Sequence, residues 1–127
     1  MKEGVHFSFE DLEVWQKAVD FADEVIGAVD ELNTDRKHFR LIEQLESAVT
    51  SIAMNVAEGK GRFSKKEFIQ FLYIARGSLF ETITLMEIFK KRNWINDIQY
   101  NSFRNKGNEI GKMLSSLINS IRKADSS

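Results

Sequence analysis

The chain has 127 residues, 43% of them apolar and 29% charged, a balance typical of one globular domain and unlike that of a disordered tail. It contains no cysteine, which excludes disulfides and zinc–sulfur sites. No apolar run is long enough to span a bilayer, and no apolar block lies near Met1, so we predict a cytoplasmic protein without a membrane partner. The net charge of -1 conceals an asymmetry, because residues 1–35 hold ten acids and two lysines whereas residues 36–127 hold sixteen bases and nine acids.

The first predicted helix begins at Ser8, where Asp11 three residues later gives a capping-box pattern. Apolar residues then recur at steps of three and four, which predicts one helical face and excludes a strand. That face comprises Leu12, Trp15, Val19, Ala22, Val25, Ile26, Val29 and Leu32.

The second predicted helix runs from about residue 37 to residue 58, after a turn at residues 33–37. Its steps of three and four follow the rhythm of helices that pack at a shallow angle, and the seam consists of Ile42, Leu45, Val49, Ile52 and Val56. Gly59 and Gly61 are predicted to end it, because glycine readily adopts the left-handed conformation of many helix ends.

The third predicted helix begins at a complete S-x-x-E capping box, Ser64 to Glu67, and continues to about residue 92. Its apolar residues form two stripes, with Tyr73 and Phe80 outside both, so more than the chain's own bundle is expected to bury it. Gly77 in the middle of this helix indicates that another backbone packs closely there.

The fourth predicted helix is capped by Asn96, with Gln99 three residues later. It buries Phe103, Ile110, Leu114, Leu117 and Ile121. Gly107 and Gly111 weaken its middle by about 1 kcal/mol each relative to alanine, and they permit close approach of a neighbouring helix.

The three connections are short, at residues 33–37, 59–64 and 92–97, so sequential helices should be antiparallel neighbours. The sequence therefore predicts a single all-α domain over residues 1–127, an up-down-up-down antiparallel four-helix bundle without β-strands.

Patterns that carry catalysis are sparse. The two histidines are His6 and His38, and Glu3 with His6 is the single Glu-x-x-His pattern, whereas a di-iron bundle needs that motif on two helices. No nucleophile elbow, Walker motif or dinucleotide-binding motif occurs. We therefore predict a protein that is not an enzyme, with no catalytic residues, no metal or cofactor and no small-molecule substrate.

Four basic residues surround the start of the third helix: Lys60, Arg62, Lys65 and Lys66. Lysines in a first helical turn are unfavourable beside the positive end of the helix dipole unless an anion is near, so this pole is a candidate anion or nucleic-acid contact. The alternative, which we favour, is neutralisation by acids at the start of the first helix, namely Glu10, Asp11 and Glu13.

A polar stripe runs beside the apolar seam of the second helix and comprises Gln44, Ser47, Ser51, Asn55 and Glu58. It is either a solvated flank or a subunit contact in which amides fix the register. With the connection centred near Gly61, Arg76 lies level with Glu46, where the two can form an ion pair worth about 0–1 kcal/mol if exposed.

Three segments together resemble the four-helix-bundle proteins encoded in intervening sequences of bacterial 23S rRNA genes. They read FEDLEVWQKA at residues 9–18, SIAMNVAEG at residues 51–59, and FIQFLYIARGSL at residues 68–79 followed by Glu81. The resemblance covers nearly the whole chain. It implies an up-down bundle that assembles into a ring-like homopentamer, and it carries no catalytic residues.

The resemblance also bears on partners. The family has been labelled S23 ribosomal protein without being an established ribosome component, and a related branch, the accessory variability determinant of diversity-generating retroelements, works with nucleic acid. Family members commonly carry a basic pair after the glutamine that matches Gln44, but this chain has Glu46 and Ser47. The polar residues shared with the family are read as assembly or packing determinants, together with Gly77: Asn55, Glu58, Arg76 and Glu81.

The sequence thus favours a non-enzymatic oligomeric scaffold or binding module whose partner is a further copy of itself. The alternative is an accessory protein that binds RNA or DNA, weakly, through the basic pole.

Overall fold

The computed structural model describes residues 4–32 and 38–126. They form four α-helices: α1 (Glu13–Val29), α2 (Phe39–Lys60), α3 (Lys65–Lys91) and α4 (Asp97–Ser126). The backbone of each helix lies close to those of two neighbours, in the cyclic order α1, α2, α3, α4, and the side chains of all four helices meet in one core. This is the up-down-up-down bundle that the sequence predicts, and the described residues contain no β-strand. The connection expected at residues 33–37 lies outside the described residues.

The N-termini of α3 and α4 are fixed by the capping residues that the sequence identifies. The Ser64 hydroxyl accepts a hydrogen bond from the Glu67 backbone N–H at 3.0 Å. At α4 the bonds are reciprocal, because Asn96 Oδ1 accepts from the Gln99 N–H at 2.8 Å and Gln99 Oε1 accepts from the Asn96 N–H at 3.1 Å. Each bond satisfies a backbone donor that the helix itself leaves unpaired.

The predicted start of α1 at Ser8 is wrong. Residues Ser8–Asp11 form a separate 3-10 turn, in which Glu10 Oε1 accepts a hydrogen bond from the Phe7 N–H at 3.1 Å, and α1 begins only at Glu13. The Phe9 ring packs on Trp15 with its centroid 5.1 Å away and stacks on Phe7 on its other side. These aromatic contacts hold the turn across the entry to α1.

Gly61 caps the C-terminus of α2, as predicted, but not in the left-handed conformation, and the role predicted for Gly59 is wrong. The helix continues through Gly59 to Lys60, and Gly61 has a right-handed φ of -81°. Gly59 is buried, and a Cβ there would lie 2.7 Å from the Cβ of Phe71. The absence of a side chain at Gly59 therefore makes room for α3, and Gly59 does not terminate α2. Among the described helix ends, the left-handed conformation occurs at Asn93 after α3, with φ 62°.

The core is lined by one face of each helix, but the face of α1 is rotated from its predicted position. Val19 is 39% exposed, whereas the fully buried residues of this helix centre on Ala18, Phe21 and Val25. In α2 the predicted seam is buried except at its first residue, Ile42, which is half-buried. The Phe21 ring meets Phe103 of α4 edge-on, with the centroids 6.3 Å apart.

Two glycines set the distance between α3 and α4. A Cβ on Gly107 would lie 2.9 Å from Ile83 Cδ1, and one on Gly111 would lie 3.3 Å from Leu79 Cδ2. The close approach predicted for this pair of helices is confirmed. Gly77 differs, because no described atom lies within 4 Å of the corresponding Cβ position. The close packing predicted at Gly77 is therefore not made by this chain's own described helices.

Candidate functional site

The four cations of the predicted basic pole lie together around the α2–α3 connection, and all are exposed. Arg62 donates from Nη2 to Glu58 Oε1 at 2.7 Å and lies 4.7 Å from the Phe71 ring centroid. Lys60 lies over the Phe68 ring at 5.9 Å. Two of the four are thus engaged by side chains of α2 and α3, while Lys65 and Lys66 project from the first turn of α3.

Direct neutralisation of the pole by α1 is not seen. Asp11 pairs with His6, with Nε2 and Oδ2 3.1 Å apart. Within residues 4–32 and 38–126, no ion pair joins Lys65 or Lys66 to the acids at the start of α1. The acidic third of the chain does meet the basic remainder elsewhere, where Glu24 of α1 pairs with Lys106 of α4.

Sequence reasoning missed Phe63 at this pole. Its side chain is fully exposed, between Arg62 and the cap of α3. A ring that the core does not bury is available for stacking on a ligand, here beside cations that can bind an anion. The position of Phe63 in the sequence could have identified it. It lies between Gly61 and the capping box at Ser64, outside both helices, where the core requires no apolar residue.

The polar stripe of α2 bonds within the chain at its centre. Ser51 and Ser78 hydroxyls lie 2.9 Å apart across the α2–α3 contact, and Asn55 Nδ2 donates to both the Oγ and the backbone oxygen of Ser51 at 2.8 Å. Ser51 and Asn55 are therefore not simply solvated, as one of the two expectations had it, but bond within the chain. At the end of the stripe, Glu58 accepts a hydrogen bond from Arg62.

The contact between Ser51 and Ser78 also sets the helix register. Arg76, two residues before Ser78 on an antiparallel helix, falls near Ala53 and about two turns from Glu46. The Arg76–Glu46 pair is absent from the described contacts, and the Arg76 guanidinium instead lies 4.9 Å from the Tyr73 ring centroid. The prediction that Arg76 lies level with Glu46 is wrong, because it placed residues at equal distances from Gly61 opposite each other. In the structure the pairing of α2 with α3 is shifted, so that Ser51 lies opposite Ser78.

One outer face of the bundle carries large apolar side chains around Gly77. We call it the α3 strip and define it by Ile74, Gly77 and Ile88 of α3 with Met54 of α2. Ile74 is 52% exposed, Ile88 is 41% exposed and Met54 is 67% exposed. Met54 lies at the level of Ile74 by the same register, and Glu81 lies exposed on the outer face of α3.

A groove of about 930 Å³ follows the contact between α3 and α4 on the other side of the strip. We call it the α3–α4 groove. Leu79, Ile83, Gly107 and Gly111 line its floor, Phe80 forms a wall, and Arg76, Arg104 and Lys112 lie at its rim. No carboxylate of the described residues lines it.

Among the described residues, two titratable groups have shifted pKa values, and both lie on the surface. A hydrogen bond from Tyr100 lowers the pKa of Glu87, helped by Lys90, Lys91 and Arg104. The hydrogen bond and charge of Glu109 raise the pKa of Lys17, with Nζ and Oε1 3.1 Å apart. In the described parts of the chain, no three metal-ligating side chains come together, and no helix is long and apolar enough to cross a membrane.

Comparison with known proteins agrees with the fold. A model of the 23S rRNA-intervening sequence protein family matches residues 10–116. The chain belongs to this family. The family assignment agrees with the sequence resemblance, and the matched range spans nearly all of the four helices.

A solved structure from the S23 ribosomal protein family is similar to the chain. It comes from Bacteroides thetaiotaomicron VPI-5482 and is described as a protein with unknown function. It has 31% sequence identity and a TM-score of 0.77, and the match covers 83% of this chain and 97% of that one. No curated protein matches the sequence.

Proposed function

We propose that this family member is a non-enzymatic, cytoplasmic scaffold or binding module that assembles into a ring of five copies. The α3 strip is the observation that carries the proposal. Three large apolar side chains and an open glycine lie on the outer face of a bundle whose core is complete without them. Large apolar side chains left exposed on one helix face, here on either side of Gly77 and Glu81, are candidates for a subunit contact.

A closed ring would bury the α3 strip of every copy against a neighbouring copy. Closed rings form when one patch of a subunit meets a different patch of the next. The sequence resemblance implies a homopentamer, and glycine at position 77 would let a neighbouring backbone approach α3 closely. Asn55 lies next to Met54, and Glu81 lies between Gly77 and Ile88 on the same face of α3, so both would supply polar contacts in the assembly.

Light scattering and sedimentation equilibrium test the assembly. We expect wild type to have about five times the 14.7 kDa chain mass. Ile74→Glu should dissociate the ring, because burial of an unpaired carboxylate is strongly unfavourable. The matched control is Ile98→Glu, which makes the same change at an 81% exposed site at the start of α4. A monomeric wild type at micromolar concentration would refute the proposal, and equal effects of both variants would remove the strip as its interface.

Gly77→Leu gives an independent test. In an isolated chain the site is open, so leucine should raise helix stability by about 0.5–1 kcal/mol. In the assembly, leucine should overpack the contact and lower the mass. We therefore expect a well-folded monomer with a higher melting temperature than other monomeric variants; an intact ring would contradict a close contact at Gly77.

The non-enzymatic part of the proposal is supported by the placement of the histidines. His6 lies before α1, at the pole where α2 ends, whereas His38 lies before α2 at the opposite end of the bundle. The His38 ring packs on Trp94 with a centroid distance of 4.6 Å. Histidine is the commonest general acid–base in catalysis, and this arrangement holds the two rings apart.

A second candidate function is nucleic-acid binding at the basic pole, and the exposed Phe63 favours it. An aromatic ring between cations can stack on an unpaired base while lysines contact phosphate. The absence of direct ion pairs to Lys65 and Lys66 within the described residues leaves both ammonium groups accessible to an anion. Glu46, where relatives are basic, argues that binding is weak and nonspecific at physiological salt.

Fluorescence anisotropy with a single-stranded oligonucleotide, duplex DNA and structured RNA at two salt concentrations tests this candidate. The charge-reversal variant is Lys65→Glu with Lys66→Glu, and its matched control is Lys90→Glu with Lys91→Glu at the other end of α3. Removal of one lysine that binds a phosphate should lower the salt slope by roughly 0.7–0.9. Tight binding that survives both high salt and the reversal at Lys65 and Lys66 would refute the basic pole as the nucleic-acid surface.

A further inference from the structure

We propose that the α3–α4 groove binds an acidic amphipathic helix from a different polypeptide. The groove is separate from both the basic pole and the α3 strip, and its use goes beyond the proposed function. The charges that the fold leaves at its rim are the first observation that points to such a partner.

The two flanks of α4 differ in how their charges are satisfied. On the flank that faces α1, Lys106 pairs with Glu24 and Glu109 pairs with Lys17. On the flank that lines the groove, Lys112 makes no ion pair within the described residues. The fold therefore neutralises one side of α4 and leaves the other side positive.

The direct contacts of the other two rim cations, Arg76 and Arg104, are with neutral side chains. Arg104 Nη1 donates to the Tyr100 hydroxyl at 2.7 Å, and Arg76 lies against the rings of Tyr73 and Phe80. Glu87 is the nearby carboxylate on α3 that interacts with Arg104, but it does not line the groove. A ligand in the groove thus meets positive charge and no fixed acid.

The register of the two helices places these cations at both ends of the groove. Because Gly107 and Gly111 pack on Leu79, the antiparallel register puts Lys112 near the level of Arg76. Arg104 lies eight residues earlier on α4, which is about 12 Å along the helix axis. A partner helix with carboxylates two turns apart would match this spacing.

The floor between the cations favours an aliphatic helix face over stacked bases. It consists of Leu79 and Ile83 side chains with glycine backbone, and Phe80 stands at one side with 58% of its surface exposed. Helix-in-groove recognition uses anchors at positions i, i+3 or i+4 and i+7, which enter such an apolar channel. Asn105, Asn108 and the serines at its edge can bond the polar flanks of that helix.

The partner is a different polypeptide because no described helix of a second copy combines an acidic surface with an unpartnered apolar face. The α3 strip is apolar and exposed, but α3 carries five basic and three acidic residues. The acidic helix of the chain is α1, and its apolar face is already in the core at Val14, Ala18, Phe21 and Val25. Val19 is the one large apolar side chain that α1 leaves exposed beside its acids, too few for anchors over two turns. The occupant must therefore bring its own unpartnered apolar face.

A synthetic peptide tests the inference directly. The probe is a fluorescein-labelled helical peptide with leucine at i, i+3, i+4 and i+7 and glutamate on both edges, and its matched control has lysine in place of every glutamate. We expect micromolar binding of the acidic peptide by anisotropy and at least tenfold weaker binding of the basic one. Lys112→Glu and Phe80→Gln, both at exposed positions, should each weaken binding at least fivefold, whereas Lys66→Glu at the basic pole should leave it unchanged.

The site of binding can be read independently because the chain has no cysteine. An environment-sensitive dye on Ser115→Cys in the groove should respond to the acidic peptide, and the same dye on Ser102→Cys should not. No binding at millimolar peptide, or equal weakening by Lys66→Glu and Lys112→Glu, would overturn the inference. A Ser115→Cys signal that changes with protein concentration alone would show that a second copy covers the groove, which would overturn it while supporting self-assembly.

Discussion

Gly59→Ala tests how closely α2 and α3 approach. Gly59 lies in the last turn of α2 and is buried. An alanine Cβ at this site would lie 2.7 Å from the Cβ of Phe71, 3.0 Å from Cδ1 of Phe68 and 3.3 Å from the Phe68 backbone oxygen. Two of these neighbours are a Cβ and a carbonyl oxygen, which move only if the backbone of α3 moves.

Two opposing effects set the magnitude. Alanine is favoured over glycine in a helix by about 1 kcal/mol at most, and by less in a terminal turn. Overpacking a tight contact costs about 1–3 kcal/mol, because the neighbouring helix must shift. We expect the second effect to be larger, with a net loss of about 1–2 kcal/mol and a melting temperature lower by about 4–8 °C.

The matched control is Gly27→Ala. Gly27 is exposed near the end of α1, and no described atom lies within 4 Å of the corresponding Cβ position. The same substitution there should raise the melting temperature, since only helix propensity changes. Thermal unfolding followed by circular dichroism compares both variants with wild type. A Gly59→Ala protein that unfolds at or above the wild-type temperature would refute the close approach.

Three further predictions concern individual hydrogen bonds. Ser78→Ala removes the bond across α2 and α3, and we expect it to lower the free energy of unfolding by about 0.5–1.5 kcal/mol in chemical denaturation. Asn96→Ala removes the cap of α4 and should cost about 1 kcal/mol, whereas Asn96→Asp, which keeps an acceptor, should cost less. Tyr100→Phe should raise the pKa of Glu87 towards its ordinary value in an NMR titration. Because the pKa of Glu87 is lowered in the folded state, its stabilisation of the fold is present at neutral pH and is lost as the pH falls through that pKa. An unchanged titration of Glu87 in Tyr100→Phe would show that the Tyr100 hydrogen bond does not cause the shift.

The sequence predicts the fold well where the determinants are local. The caps at Ser64 and Asn96 depend on residues three positions apart, and both form as expected. The start of α1 is different, because Phe9 and Trp15 pack together and hold a separate turn. The capping pattern at Ser8 carries no information about a contact between aromatic rings six residues apart.

Features that depend on helix register could not be predicted in the same way. Periodicity says which face of a helix is apolar, but not how far one helix slides along another. The offset seen at Ser51 and Ser78 moves Arg76 away from Glu46 and towards Tyr73. The α3–α4 groove has the same origin, since Arg76 and Lys112 lie at one level only in the register that α3 and α4 adopt.

The contact between α1 and α4 has a consequence for how the bundle opens. Two ion pairs cross it, Lys17 with Glu109 and Lys106 with Glu24, and all four side chains are partly exposed, so each pair contributes only about 0–1 kcal/mol. The α2–α3 contact has the buried glycine and the serine network instead. Native-state hydrogen exchange should therefore show a partially unfolded form in which α1 and α4 separate while the α2–α3 hairpin keeps its amide protection. Salt should speed exchange of the α1 and α4 amides more than that of the α2 and α3 amides.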